Sequence, residues 1–178
     1  MKKFSFIMLI ALLFVSCKVQ RTPEEIAAGN QAFEKAALAV KNKHFVLMAD
    51  EVRVGYETTP DFAPRQGLNF MYVLGNEGVI QFDSWFNFNG VGGITIKGRV
   101  TNYEVKTDKK GEISVSYSIH DAAVGGQVTF WITPGSNQVR ADFHPDFISG
   151  NVSIRGEVKP YNPNMDGVTI EGSSLFGN

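Results

Sequence analysis

Acid–base chemistry has few places to start in this sequence. Histidine occurs three times, and two of the three stand beside carboxylates, in His120-Asp121 and in the run Asp142-Phe143-His144-Pro145-Asp146. Asp142, His144 and Asp146 alternate along one face of a strand end, a spacing that can bring carboxylate and imidazole to a single metal ion. The same "HPD" is an ordinary exit from a strand, because proline donates no ladder hydrogen bond. No distant residue completes a site, and no serine or cysteine sits in a nucleophile elbow. The reading is therefore non-enzymatic, with no catalytic residues, no metal ligands and no cofactor.

Glycine offers a second chemistry. A phosphate-cradling loop needs a helix N-terminus behind it, and Gly90-Val91-Gly92-Gly93 is followed instead by alternating strand residues, with no Lys-Ser or Lys-Thr pair directly after the glycines to complete a P-loop. A turn is the expected role, with Gly92 and Gly93 free to take positive φ. Gly98 and Gly156 fall on the apolar parities of strands, where a missing side chain permits sharp coiling or close packing. Arg99 and Arg155 read as solvent-facing strand charges.

Aromatic residues offer a third. Phe82, Trp85, Phe86 and Phe88 crowd a stretch read as a loop between strands, mixed with Asp83, Ser84, Asn87 and Asn89. Aromatic bodies with amide tips suit a ligand mouth or a partner surface; two or three of them plugging a barrel end is the competing role. Phe70, Tyr72, Trp85, Phe86, Phe88 and Tyr117 form the candidate ligand-binding set. Trp131 lies on the parity opposite Phe130 and is expected to face outward.

The elements that position these groups begin after a leader. Lys2 and Lys3, an apolar stretch from Phe4 to Val15, and Ser16 read as a secretory signal peptide over residues 1–16. That stretch is too short for a permanent span, which needs roughly 20 helical residues. Phe14-Val15-Ser16-Cys17 resembles a bacterial lipobox, which implies that Cys17, the only cysteine, becomes the lipidated first residue. An ordinary signal peptide with a free thiol is the alternative. An unpaired thiol in an exported protein needs an explanation, and acylation supplies one that also anchors the chain. No acidic run of the kind that resembles a surface-export signal follows Cys17, so the expectation is an outer-membrane lipoprotein of a bacterial envelope, facing the periplasm.

Cleavage before Cys17 removes Lys2 and Lys3 from the 17 basic residues, leaving 15 against 18 acidic, a net of −3. Nucleic-acid binding is excluded on that balance. Hydrophobics at 43% and aromatics at 12% argue against disorder, and a mature chain of roughly 160 residues suits one domain with a core.

Residues 17–22 form a tether and 23–43 a helix, with Thr22 as N-cap, Pro23 in the first turn and Glu25 closing a capping box. Ile26, Phe33, Ala36, Ala37 and Val40 make its apolar stripe. A membrane-surface role is disfavoured by its acidic first turn. From Phe45 to Val158 the period is two. Val46, Met48, Val52, Val54 and Tyr56 share one parity; Leu68, Phe70, Tyr72 and Leu74 share another face. A parity change near Asn102 predicts a β-bulge, and Asp108-Lys109-Lys110-Gly111 predicts a hairpin. Eight short strands without helical crossovers give an all-β fold over residues 44–160, a barrel or a β-sandwich, with 161–178 as a tail. Closure removes exposed edges and favours the barrel.

The stretches "HFVLMADEVRVG", "LNFMYVLGNEGVIQF", "NGVGGITIKGRVTNYEVKTDKKGEISVSY" and "ISGNVSIRGEVKP" resemble Bacteroidetes lipoproteins of the domain-of-unknown-function 4251 family. The resemblance covers most of residues 44–160. It implies an eight-stranded antiparallel lipocalin-like barrel on a lipid anchor and brings no activity or catalytic residues. Two functions stay open: binding a small apolar or amphipathic ligand, or a scaffold docking to another envelope protein. The partners are the membrane through Cys17 and one of these two.

Overall fold

Thr22 begins the first element by capping it. Its hydroxyl accepts from Glu25 N at 3.2 Å while its own N–H donates to Glu25 Oε2 at 2.7 Å, the reciprocal box that satisfies two orphan donors. In the computed structural model, which describes residues 21–54, 67–88, 91–147 and 149–162, with the backbone alone for 84–88, 91 and 92, helix α1 runs Pro23–Lys41. Phe33, Ala36, Ala37 and Val40 pack on the core. Ile26 does not: at 49% exposure the first turn lies beyond the apolar cluster, so the predicted stripe starts about two turns late, at Phe33.

Eight strands follow: β1 His44–Val54, β2 Phe70–Leu74, β3 Glu77–Phe88, β4 Val91–Thr107, β5 Ile113–His120, β6 Gly125–Ile132, β7 Gln138–Pro145 and β8 Val152–Pro160. Each pairs antiparallel with its chain neighbour, and β8 closes on β1. The fold is a closed barrel, which decides against the sandwich. The hairpin at Asp108 forms as expected, with its carboxylate accepting from Lys110 N at 2.8 Å and Glu112 N at 2.9 Å. The bulge is also in place: Asn102 has φ of 52°, and the β4–β5 register slips between Thr101 and Glu104.

The interior is apolar from every strand. Phe45 of β1 meets Phe130 of β6 at a centroid distance of 5.5 Å, and Phe82 of β3 meets Phe143 of β7 at 6.1 Å. β3 and β7 stand on opposite sides of the ring, so the second contact bridges the lumen. α1 adds Ala36, Ala37, Ala39 and Val40 to the same cluster.

Three sequence readings are corrected by this geometry. Val46 and Met48 face outward whereas Val52 and Val54 pack on the core, because a register irregularity between Ala49 and Glu51 splits β1. Phe70 and Tyr72 also lie on the outer wall, while Met71 and Val73 face in. The aromatic stretch is not a loop, since β3 runs through Trp85 and Phe86 to Phe88. Asn87 and Phe88 pair with Gly92 and Val91, so Val91, Gly92 and Gly93 open β4. Gly93 keeps its expected positive φ, 69°.

Candidate functional site

The outer wall of β2, β3 and β4 is dished, and glycine is the local cause. Gly78 and Gly98 stand opposite each other in the β3–β4 register. A Cβ on Gly98 would collide with the His120 carbonyl, so only glycine lets β4 press this closely against the end of β5. Four residues further on, the Asn102 bulge shifts the β4–β5 register. The result is an open groove with a volume of about 940 Å3, running from the β2–β4 wall to the C-terminal end of α1.

Its chemistry is mixed aromatic and basic. Tyr72, Tyr103, Lys43, Lys97, Arg99 and Glu77 line it. Lys43 lies over the Tyr103 ring at 5.1 Å and donates to Asn76 Oδ1 at 3.2 Å. The Tyr103 hydroxyl donates to the Val40 carbonyl at 2.6 Å, satisfying one of the acceptors left open at a helix C-terminus. Lys97 and Arg99 are exposed, and among the described residues neither side chain has an ion-pair or hydrogen-bond partner. Glu77 stands opposite Arg99 in the register without bonding to it. Burial, then Tyr161 and Glu77, push the Tyr72 phenol above its ordinary value; burial does the same to Tyr103. Both phenols are therefore neutral at physiological pH.

The groove continues past the end of β3. Glu77, the first residue of β3, pairs with Arg99, whereas β4 extends to Thr107 and from Thr101 onward pairs with β5 alone. The other backbone edge of this overhang carries no strand among the described residues. Thr101, Asn102, Glu104, Lys106 and Thr107 along it are exposed.

The three aromatic candidates whose side chains are described, Phe70, Tyr72 and Tyr117, do not converge. Tyr117 points into the barrel, stacks on Tyr103 at 5.9 Å and is fully buried, its hydroxyl without a partner; burial, then Tyr103, raises its pKa. Phe70 and Tyr72 lie on the other side of the wall, in a small cluster with Val46 and Val79. Tyr161, where the chain leaves β8, stacks on Tyr72 at 4.6 Å. Trp85, Phe86 and Phe88 have strand backbones, and their side chains lie outside the described residues, as do Cys17, the leader and the tail beyond Asn162. Of the candidates whose side chains are described, Tyr72 alone lines the groove. Trp131 faces outward beneath Arg140, 5.2 Å from its ring. Sequence reasoning missed Lys43, Lys97 and Tyr103; "KGR" between two apolar strand positions was the available signal, and it reads like any solvated face.

The acid–base candidates separate as well. His120 Nδ1 reaches Asp146 Oδ2 at 3.4 Å across the β5–β7 end, while Asp142 accepts from Ser153 Oγ at 2.8 Å. Among the described residues no three of His, Cys, Asp and Glu are placed to hold one metal ion.

Comparison with known proteins agrees with this architecture. A crystal structure of a DUF4251 family protein from Bacteroides eggerthii DSM 20697 is similar to this chain with a TM-score of 0.66 and 28% identity, covering 76% of this chain and 91% of that one. No curated protein matches it. A family model matches residues 27–158, which takes in most of α1 and nearly all of the barrel, and the chain therefore belongs to the family described as a domain of unknown function, DUF4251.

Proposed function

We propose that this protein is a lipid-anchored, non-enzymatic envelope protein that docks to another envelope protein through its outer wall, and does not carry a small molecule in its barrel. The observation that supports this reading most is the ring contact between Phe82 and Phe143, from opposite strands, at 6.1 Å: the side chains that would line a lumen touch across it. A ligand-bearing barrel of eight strands keeps that space open. The outer wall supports attachment by lipid alone. Positions such as Thr95, Lys97, Ser114, Gln127, Arg140 and Arg155 alternate with the core residues, opposite to the apolar outer band of a membrane-spanning barrel. The leader and Cys17 supply the anchor.

Native mass spectrometry of the protein extracted from its own envelope, with and without crosslinking, tests the reading. The expected masses are the acylated chain alone and, after crosslinking, the chain with a protein partner. A stoichiometric apolar molecule retained by the chain would overturn it.

A further inference from the structure

The groove beside β4 has two properties that together define an occupant. The first is electrostatic. Lys43, Lys97 and Arg99 face one acid, Glu77, and the Lys97 and Arg99 side chains have no partner among the described residues. The chain as a whole is net negative at −1, so this wall departs in sign from the molecule that carries it. The second is the overhang of β4 beyond Glu77, where the barrel ring leaves backbone on one side of Thr101 to Thr107 without a neighbouring strand among the described residues. Barrels use closure to abolish such edges, and here closure stops short of the groove.

Resting on the docking function proposed above, we infer that this groove takes an extended acidic peptide segment of another protein, its backbone adding to the free edge of β4 and its carboxylates meeting Lys97 and Arg99. A strand edge selects for peptide, since it offers alternating N–H and C=O groups that a glycan or a lipid headgroup does not match. An incoming strand occupies the column that β3 vacates at Glu77. Its outward side chains then lie diagonal to Arg99, within reach of a long cationic side chain. Tyr72 and Tyr103 flank the path as rigid, neutral surfaces.

The test uses the mature protein and fluorescence anisotropy with a labelled, capped peptide of alternating threonine and glutamate, about ten residues long. The acidic peptide is expected to bind, and Lys97→Glu with Arg99→Glu to weaken it by about tenfold or more. Both positions are exposed, so the variant folds; thermal melting checks this, and Lys97→Gln with Arg99→Gln gives an intermediate loss. A threonine–lysine peptide is expected not to bind, and proline at alternate positions of the acidic peptide is expected to abolish binding by removing backbone donors. No binding of the acidic peptide at about 1 mM, equal binding of its proline form, or preference for polygalacturonate or phosphatidylglycerol vesicles would each overturn the inference. Crosslinking in the envelope separates the two proposals. A partner that persists in the double-glutamate variant overturns this surface and leaves docking intact, whereas the absence of any partner for the wild type overturns docking itself.

Discussion

Two concavities on the outer wall are built from similar residues and differ in how their charges end. The smaller, about 310 Å3, crosses β1, β8 and β7 and holds Arg53, Arg140 and Arg155. Each arginine there has a partner: Arg53 and Arg155 share Glu51, and Arg140 pairs with Glu112 at 3.7 Å over the Trp131 ring. Even Asp142 is engaged, by Ser153. In the larger concavity Lys97 and Arg99 are exposed like those arginines and pair with nothing among the described residues. A wall whose charges neutralise one another is complete as it folds. A wall that leaves two cations unpaired beside an open strand edge is not, and that difference, rather than size, marks the groove.

The sharpest way to break the comparison is to remove the dish itself. Gly98→Val should cost about 3 kcal/mol in urea unfolding, because its side chain would be driven into the His120 carbonyl. A loss under about 0.5 kcal/mol would mean that β4 and β5 are not pressed together there. The next effects come from two stacked tyrosines at the end of the groove. Tyr103→Phe should lose about 1 kcal/mol with its bond to Val40. Tyr117→Phe should be neutral or gain about 1 kcal/mol, since it deletes a buried hydroxyl that has no partner. Opposite signs at adjacent rings distinguish this packing from one in which both hydroxyls are bonded.

The smallest stability effects compare the two concavities directly. Glu51→Gln leaves two arginines without their shared anion and should cost about 0.5–1 kcal/mol, with the cost shrinking in salt. Lys97→Gln and Arg99→Gln should each change stability by less than about 0.5 kcal/mol, because nothing in the fold depends on them. Equal costs at both places, measured as urea midpoints at low and high salt, would erase the distinction.

Much of the barrel was legible because strand alternation is a local signal. Ile113 to Ile119 against Ser114 to Ser118 announces one buried face, and the parity change at Asn102 announces its own bulge. Where both faces are apolar the signal fails. Phe45, Val46, Leu47 and Met48 are consecutive hydrophobics, and Phe70 to Val73 likewise, so parity alone does not say which face turns in. The bulge between Ala49 and Glu51 then follows directly on the first of these runs. Asp83, Ser84, Asn87 and Asn89 made the end of β3 look like a loop, although pairing with β4 carries it to Phe88. The groove was out of reach for a different reason. Lys97 and Arg99 are visible in the sequence as polar strand positions, but their lack of a partner depends on the register of three strands, on a helix end sixty residues upstream by rough count, and on where β3 begins.

The central claim, that the finished interior leaves recognition to the β4 groove, is tested most directly by site-specific photocrosslinking in the envelope. Thr101, exposed in the groove, and Gln127, exposed on β6 two strands away, are replaced one at a time by a benzophenone-bearing amino acid. Light should then join position 101 to a second protein and leave position 127 unlinked. Adducts at both positions alike, or none at 101 while a small apolar molecule copurifies with the chain, would contradict the account.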